Sequence, residues 1–176
     1  GGAQEVVRQI SERLVRRGHE VTVATSRLPN RSGKVINGVR IEEFEISGNT
    51  VRGMAGEVER YRQFLRDGGF DVWMSYAAQQ WSTDAALDIL ESIPYRKILA
   101  PCGFSGLHDQ GYKAYFERLP ERLSHFDGLI FHSNVYQDRE FARSHALRKA
   151  WLIPNGCGED EFNGAVPDFR ALHGIP

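Results

Sequence analysis

The residues able to do chemistry gather where short apolar runs give way to Gly, Ser, His and Asn. The densest stretch is Cys102-Gly103-Phe104-Ser105-Gly106-Leu107-His108-Asp109, directly after Lys97-Ile98-Leu99-Ala100-Pro101. It offers a thiol, a hydroxyl, an aromatic ring, a His–Asp neighbour pair and two glycines that admit close backbone approach. His108 is its candidate proton-handling group, a solvated loop histidine being the plain alternative. Cys102 is the candidate nucleophile, although nothing in the sequence fixes a base beside it and a small buried thiol explains it too. Trp73, Tyr76 and Trp81 bracket a second run end, where an aromatic face beside Gln79 and Gln80 suits stacking on a sugar ring or, equally, core packing. Tyr76 is the better of the three for exposure. A third end carries His132-Ser133-Asn134, with Asn134 able to cap a following helix. At the start of the chain, Gly1-Gly2 opens a helical stripe. Unpartnered N–H groups and the macrodipole make a helix start a cradle for phosphate, and glycines let its oxygens in, though a plain loop explains the pair as well.

Those positions are meaningful because of the elements that must hold them. Ala3, Val6, Val7, Ile10 and Leu14 make one helical stripe, with Glu12 four residues before Arg16 and Gly18 placed to end the helix. Val21-Thr22-Val23-Ala24-Thr25 reads as a strand buried on both faces. Leu28 to Lys34 is a loop, and Asn37-Gly38 turns into a strand over Val39 to Phe44. Met54, Val58, Tyr61 and Leu65 give a second helical stripe closed by Gly68-Gly69. Strands follow at Asp71 to Ser75, Lys97 to Ala100, Gly128 to Phe131 and Ala150 to Ile153, before Pro154-Asn155-Gly156. Between them lie helices over about 81–91, over Gly111 to Ser124 with a break at Pro120, and over Val135 to Ala146. Strands separated by helices pair in parallel through crossovers, so the expected architecture is an open, doubly wound parallel α/β sheet. In such a fold a first, central strand precedes the first helix, and none is written here. Ligands in open parallel sheets bind beyond the carboxyl ends of the strands, which is where every candidate above falls.

The 176 residues suit one domain, or one with a small appendage, and Gly1-Gly2-Ala3 does not read as a natural start. Twenty-two basic and 23 acidic residues leave a net charge of −1, which gives no electrostatic case for nucleic acid. Charged residues at 26% and hydrophobic ones at 41% fit a soluble globule, and no run spans a bilayer. Cys102 and Cys157 are too few for a disulfide scaffold and suit a reducing compartment. His19, His125, His145 and His173 show no ligand spacing, so no metal is expected. Walker A, G-x-S-x-G and full G-x-G-x-x-G patterns do not occur.

Two segments carry a family resemblance. Gly1-Gly2-Ala3-Gln4-Glu5-Val6-Val7, with Leu14-Val15-Arg16-Arg17-Gly18-His19-Glu20-Val21-Thr22-Val23, resembles the opening of family 4 glycosyltransferases. Phe126-Asp127-Gly128-Leu129-Ile130-Phe131-His132-Ser133, then Ile153-Pro154-Asn155-Gly156 and Phe162, is similar to the family's passage from the amino-terminal to the donor-binding domain. The resemblance implies one half of a GT-B enzyme, built of two Rossmann-like domains across a cleft. Residues 1–166 would be the amino-terminal, acceptor-side domain lacking its first strand, and 167–176 the start of the interdomain linker. It implies transfer of a sugar from a nucleotide-sugar donor to a hydroxyl on a carbohydrate or lipid-linked acceptor, retaining configuration, with neither cofactor nor metal. Gly1 and Gly2 would contact the donor diphosphate. Cys102, Gly103, Phe104, Ser105, His108, Tyr76 and Ser133 would line the acceptor side.

Three departures accompany it. Many members place a His straight after the fifth strand, where this chain has Cys102, and His108 lies six residues on. The family's acidic pair and basic phosphate-binding residues belong to the second domain. Cys157-Gly158 stands where Val-Asp is usual. Alone, the chain is therefore expected to be inert. The expected compartment is the cytoplasm, with peripheral contact at the inner membrane face left open. A sugar-nucleotide epimerase of the same fold and a non-catalytic binding module are the alternatives.

Overall fold

The computed structural model describes residues 2–31, 33–158 and 168–175. Helix α1 (Gly2–Arg16) ends as its sequence dictates. Gly18, at φ +89°, donates to Val15 O, and His19 N donates to Leu14 O, the paired bonds of a left-handed glycine cap. Its ion pairing differs from expectation: Glu12 accepts from Arg8 and from the Asn37 amide rather than from Arg16. The chain then forms β1 (Thr22–Ser26), β2 (Val35–Ile36) and β3 (Val39–Phe44), with β1 parallel and β2 antiparallel to β3. Asn37 and Gly38, at φ 50° and 82°, make the tight turn between β2 and β3.

Strands β4 (Ile46–Asn49) and β5 (Gly53–Gly56) form an antiparallel hairpin that the sequence reading missed. Met54 lies in β5, so only Val58, Tyr61 and Leu65 of the expected stripe belong to α2 (Val58–Asp67). Four parallel strands follow in sequential order: β6 (Val72–Tyr76), β7 (Arg96–Ala100), β8 (Gly128–Phe131) and β9 (Ala150–Leu152). They alternate with α3 (Trp81–Leu87), α4 (Lys113–Ser124) and α5 (Gln137–Ser144). A short α6 (Phe169–His173) is capped by Asp168 and closed by Gly174.

The open parallel α/β architecture is therefore present, in two pieces. Among the described residues no strand precedes α1, and none bridges the edge strands β1 and β6. Side chains do: Trp81 Nε1 donates to Ser26 Oγ at 2.9 Å, bringing the carboxyl end of β1 beside the start of α3. The α1 stripe is half-buried, with Leu14 37% exposed.

Helix α4 runs through Pro120, where a break was expected. A proline inside a helix costs about 3 kcal/mol. Tyr115, Phe116, Leu119 and Leu123, all buried along α4, each return about 1.5–3 kcal/mol on burial and outweigh it. No helix among the described residues is long and apolar enough to cross a membrane.

Candidate functional site

The carboxyl ends of β6 to β9 are pinned at one level. Tyr76 pairs with Ala100, Phe131 with Leu152, and the chain beyond β6 continues with Ala77 N donating to Ala100 O. Backbone strain concentrates at this rim. Ala77 and Gln79 beyond β6, and Cys102 beyond β7, are non-glycine residues at φ 72°, 61° and 59°. Such conformations persist only where neighbours hold them. Gly103, at φ 81°, donates its N–H to Asp138 Oδ2 at 2.8 Å.

A cleft of about 370 Å³ opens at this rim. Its floor is made by Tyr76, Cys102, Gly103 and His132 from the strand ends. One wall comes from Gly2, Ala3 and Val6 in the first turns of α1, and another from Ser133, Tyr136, Asp138 and Asn155. An added Cβ at Gly2 would meet nothing within 4 Å, so the helix start is sterically open.

His132 is the centre of the polar geometry. Its Nδ1 lies 2.9 Å from Ile153 O, and a carbonyl can only accept, so Nδ1 carries the proton. In the Nδ1–H tautomer, Nε2 presents its lone pair to the cleft, where the Tyr76 hydroxyl donates to it at 3.0 Å. Removal from water pushes the Tyr76 hydroxyl up to about 12, with the neighbouring Cys102 sulfur adding to the effect. It stays a donor across the physiological range. Cys102 Sγ sits 3.8 Å from Nε2 and donates to Ala100 O at 3.4 Å. Although the residue keeps an exposed face, protein atoms crowd the sulfur out of water and hold its thiol above the ordinary value. A base does therefore lie beside Cys102, contrary to the sequence reading. Its lone pair is taken by Tyr76 and the thiol is held neutral, which leaves Cys102 a weak S–H donor rather than a thiolate nucleophile.

Gly2, Tyr76, Cys102, Gly103 and Ser133 thus share one cleft. Gly1, Phe162 and the boundary expected at 166–167 lie outside the described residues. Phe104 does not reach the cleft. It is fully buried, its ring 5.4 Å from Phe116 and 5.2 Å from Phe141, and it anchors the loop from below. Ser105 is exposed, with its hydroxyl turned toward Gln79 Oε1 at 3.5 Å. His108 lines a second cleft with Leu107, Lys113, Glu117 and His145, which shares no described lining residue with the first. The 102–109 loop folds away rather than back, because Phe104 is drawn into the aromatic core. Asn134 does not cap α5: its side chain and carbonyl accept from Arg143.

Of the remaining lining residues, His132 and Asn155 are picked out in the sequence by the signal of position at a strand end, with no role assigned to them. Tyr136 and Asp138 gave none, since their helical periodicity is untidy.

No curated protein sequence matches the chain. The model of the glycosyl transferase 4-like domain does, over residues 1–156, and the chain belongs to that family.

Proposed function

We propose that this chain is the acceptor-side half of a glycosyltransferase. It would pass a sugar from a nucleotide-sugar donor to a hydroxyl on a carbohydrate or lipid-linked acceptor, with retention and without a metal ion. The observation that carries this reading is that the start of α1 and the Tyr76–His132 pair face the same cleft. The first N–H groups of a helix lack internal partners, and the macrodipole adds about half a positive charge there. A departing diphosphate needs that kind of preorganised stabilisation, and the bare Gly2 edge leaves room for its oxygens. Groups suited to a hydroxyl stand on the other side of the same space. On this reading a second, nucleotide-binding domain would supply most of the donor's contacts, and the 176-residue chain alone would not turn over.

The experiment compares this chain, alone and joined to that second domain, against a panel of nucleotide-sugars with glycoside acceptors. Release of nucleoside diphosphate together with a new glycosidic linkage, by the joined protein only, is the expected result. An isomerised nucleotide-sugar would make the protein an epimerase instead. Turnover by the chain alone would refute the division of labour.

A further inference from the structure

We infer that Tyr76 and His132 form a single hydroxyl-recognition pair, into which one hydroxyl of a sugar-type acceptor inserts, accepting from Tyr76 and donating to His132 Nε2. That the owner of the hydroxyl is an acceptor rests on the transferase reading above; the recognition chemistry rests on the geometry of the pair.

The Ile153 carbonyl fixes the proton on His132 Nδ1, so Nε2 is an acceptor. The Tyr76 hydroxyl is a donor and already points at it, 3.0 Å away. One donor beside one acceptor is the complement of a hydroxyl, which needs one of each. A carboxylate or phosphate oxygen has no proton for Nε2, and an ammonium has no lone pair for Tyr76. Insertion of a hydroxyl leaves both side chains satisfied, so entry is not opposed by the ~1–3 kcal/mol of an unpaired buried group. The Cys102 sulfur and the Asn155 side chain also lie against the Tyr76 hydroxyl, while the other polar groups of the cleft are engaged elsewhere. The Cys102 S–H is directed to Ala100 O, and Asp138 engages its two oxygens with Gly103 N and Arg139 N. Tyr136, 54% exposed and packed against Gly103, offers an aromatic face on which the rest of a sugar ring can lie.

The test uses the chain with isotope-labelled histidine, followed by NMR, and the methyl α-glycosides of glucose, galactose and mannose as probes. In the free chain, His132 should carry its proton on Nδ1, and at least one glycoside should shift the Nε2 resonance on saturation. Tyr76→Phe and His132→Phe each remove one of the two hydrogen bonds and should weaken that glycoside about tenfold. The double variant should weaken it by less than the product, because both side chains act on one hydroxyl. His132→Gln, whose amide oxygen reaches the ε position, should regain part of the loss. Tyr76→Phe is the check against misfolding, since it deletes one oxygen and no carbon. A protonated Nε2 in the free chain, a His132 signal indifferent to all three glycosides, or undiminished affinity in folded Tyr76→Phe would overturn the inference. The transferase reading fails separately: a glycoside-responsive His132 without any glycosidic product leaves the sugar site standing and the reaction different.

Discussion

Gly103 donates its backbone N–H to Asp138 Oδ2 at 2.8 Å, while Asp138 Oδ1 accepts from Arg139 N at 2.8 Å. One buried carboxylate thereby clamps the left-handed pair Cys102–Gly103 onto the start of α5. Hydrogen bonds to a charged group are worth about 1.5–3 kcal/mol, and an orphaned buried N–H costs a similar amount. Asp138→Ala should therefore lower unfolding free energy by about 2–3 kcal/mol, read from urea denaturation midpoints. Asp138→Asn keeps one acceptor oxygen and should lose about half of that. A loss below about 0.5 kcal/mol in the Ala variant, the scale of neutral surface changes, would mean the turn holds itself.

Glycine at 103 has a different physical basis. At φ 81° a side chain costs about 1–2 kcal/mol, and a Cβ would fall 2.5 Å from Tyr136 Cε1. Tyr136 is free to swing outward, so Gly103→Ala should lose only about 1–2 kcal/mol while displacing the aromatic wall of the cleft. In the β4–β5 hairpin the opposite holds. A Cβ at Gly48 would lie 1.8 Å from the Gly53 carbonyl oxygen, which is backbone and cannot yield. Gly48→Ala should then cost clearly more than Gly103→Ala in thermal unfolding; equal losses would contradict the distinction.

Local signals make much of this fold legible in the sequence. Gly18 ends α1 through two backbone bonds that depend only on its own φ, and Gly128 to Phe131 is β8 to the residue. The β4–β5 hairpin was not readable, because Met54 falls in phase with Val58, Tyr61 and Leu65 by coincidence of spacing. What opposes helix there is the close approach of Gly48 and Gly56 to the carbonyls of Gly53 and Glu45 across the hairpin, a cross-strand contact that apolar periodicity does not record. The site divides the same way. A strand-end rule selects Tyr76, Cys102, His132 and Ser133, but it selects Phe104, Ser105 and His108 equally, and the structure puts those three elsewhere. Composition cannot say that Phe104 is wanted by Phe116 and Phe141. His132 gains its role from Ile153, a residue on the next strand's exit, and no spacing reveals which carbonyl a ring nitrogen will meet.

The thiol of Cys102 supplies a chemical check on the cleft. Crowding out of water holds it above its ordinary value, so the thiolate fraction at neutral pH is below that of a free cysteine, ~8.5 being the unperturbed reference. In a Cys157→Ser background, iodoacetamide should label Cys102 more slowly than a free-cysteine standard at pH 7.5, with the rate midpoint displaced upward. Labelling faster than the standard would mean that His132 draws the proton, and that its Nε2 is not engaged by Tyr76.

Two aspartates should give stability profiles of opposite slope. Asp127 accepts from Lys97 N at 2.9 Å and from Arg96 Nη1 at 3.0 Å, and the Lys97 N–H is the main cause of its lowered value. Its stabilisation is present above the unfolded carboxylate value, ~3.9, and fades as pH falls through the lower folded value. Asp127→Asn should therefore cost nothing in strong acid and progressively more as pH rises. Asp84 is fully buried between Thr50 N at 3.0 Å and the Tyr115 hydroxyl at 2.9 Å, and burial raises its value. The native state holds its proton more tightly than the unfolded chain, so wild-type stability from this group falls as pH climbs from ~3.9 through the folded value. Asn does not titrate, so the cost of Asp84→Asn should shrink as pH climbs above ~3.9, whereas the cost of Asp127→Asn grows below ~3.9 and is level above it. Equilibrium denaturation of both variants from about pH 1.5 to 7 reads the two slopes, Asp127 at the acid end and Asp84 above it. Slopes of the same sign would show that the Asp84 carboxylate is stabilised by its donors more than it is penalised by burial.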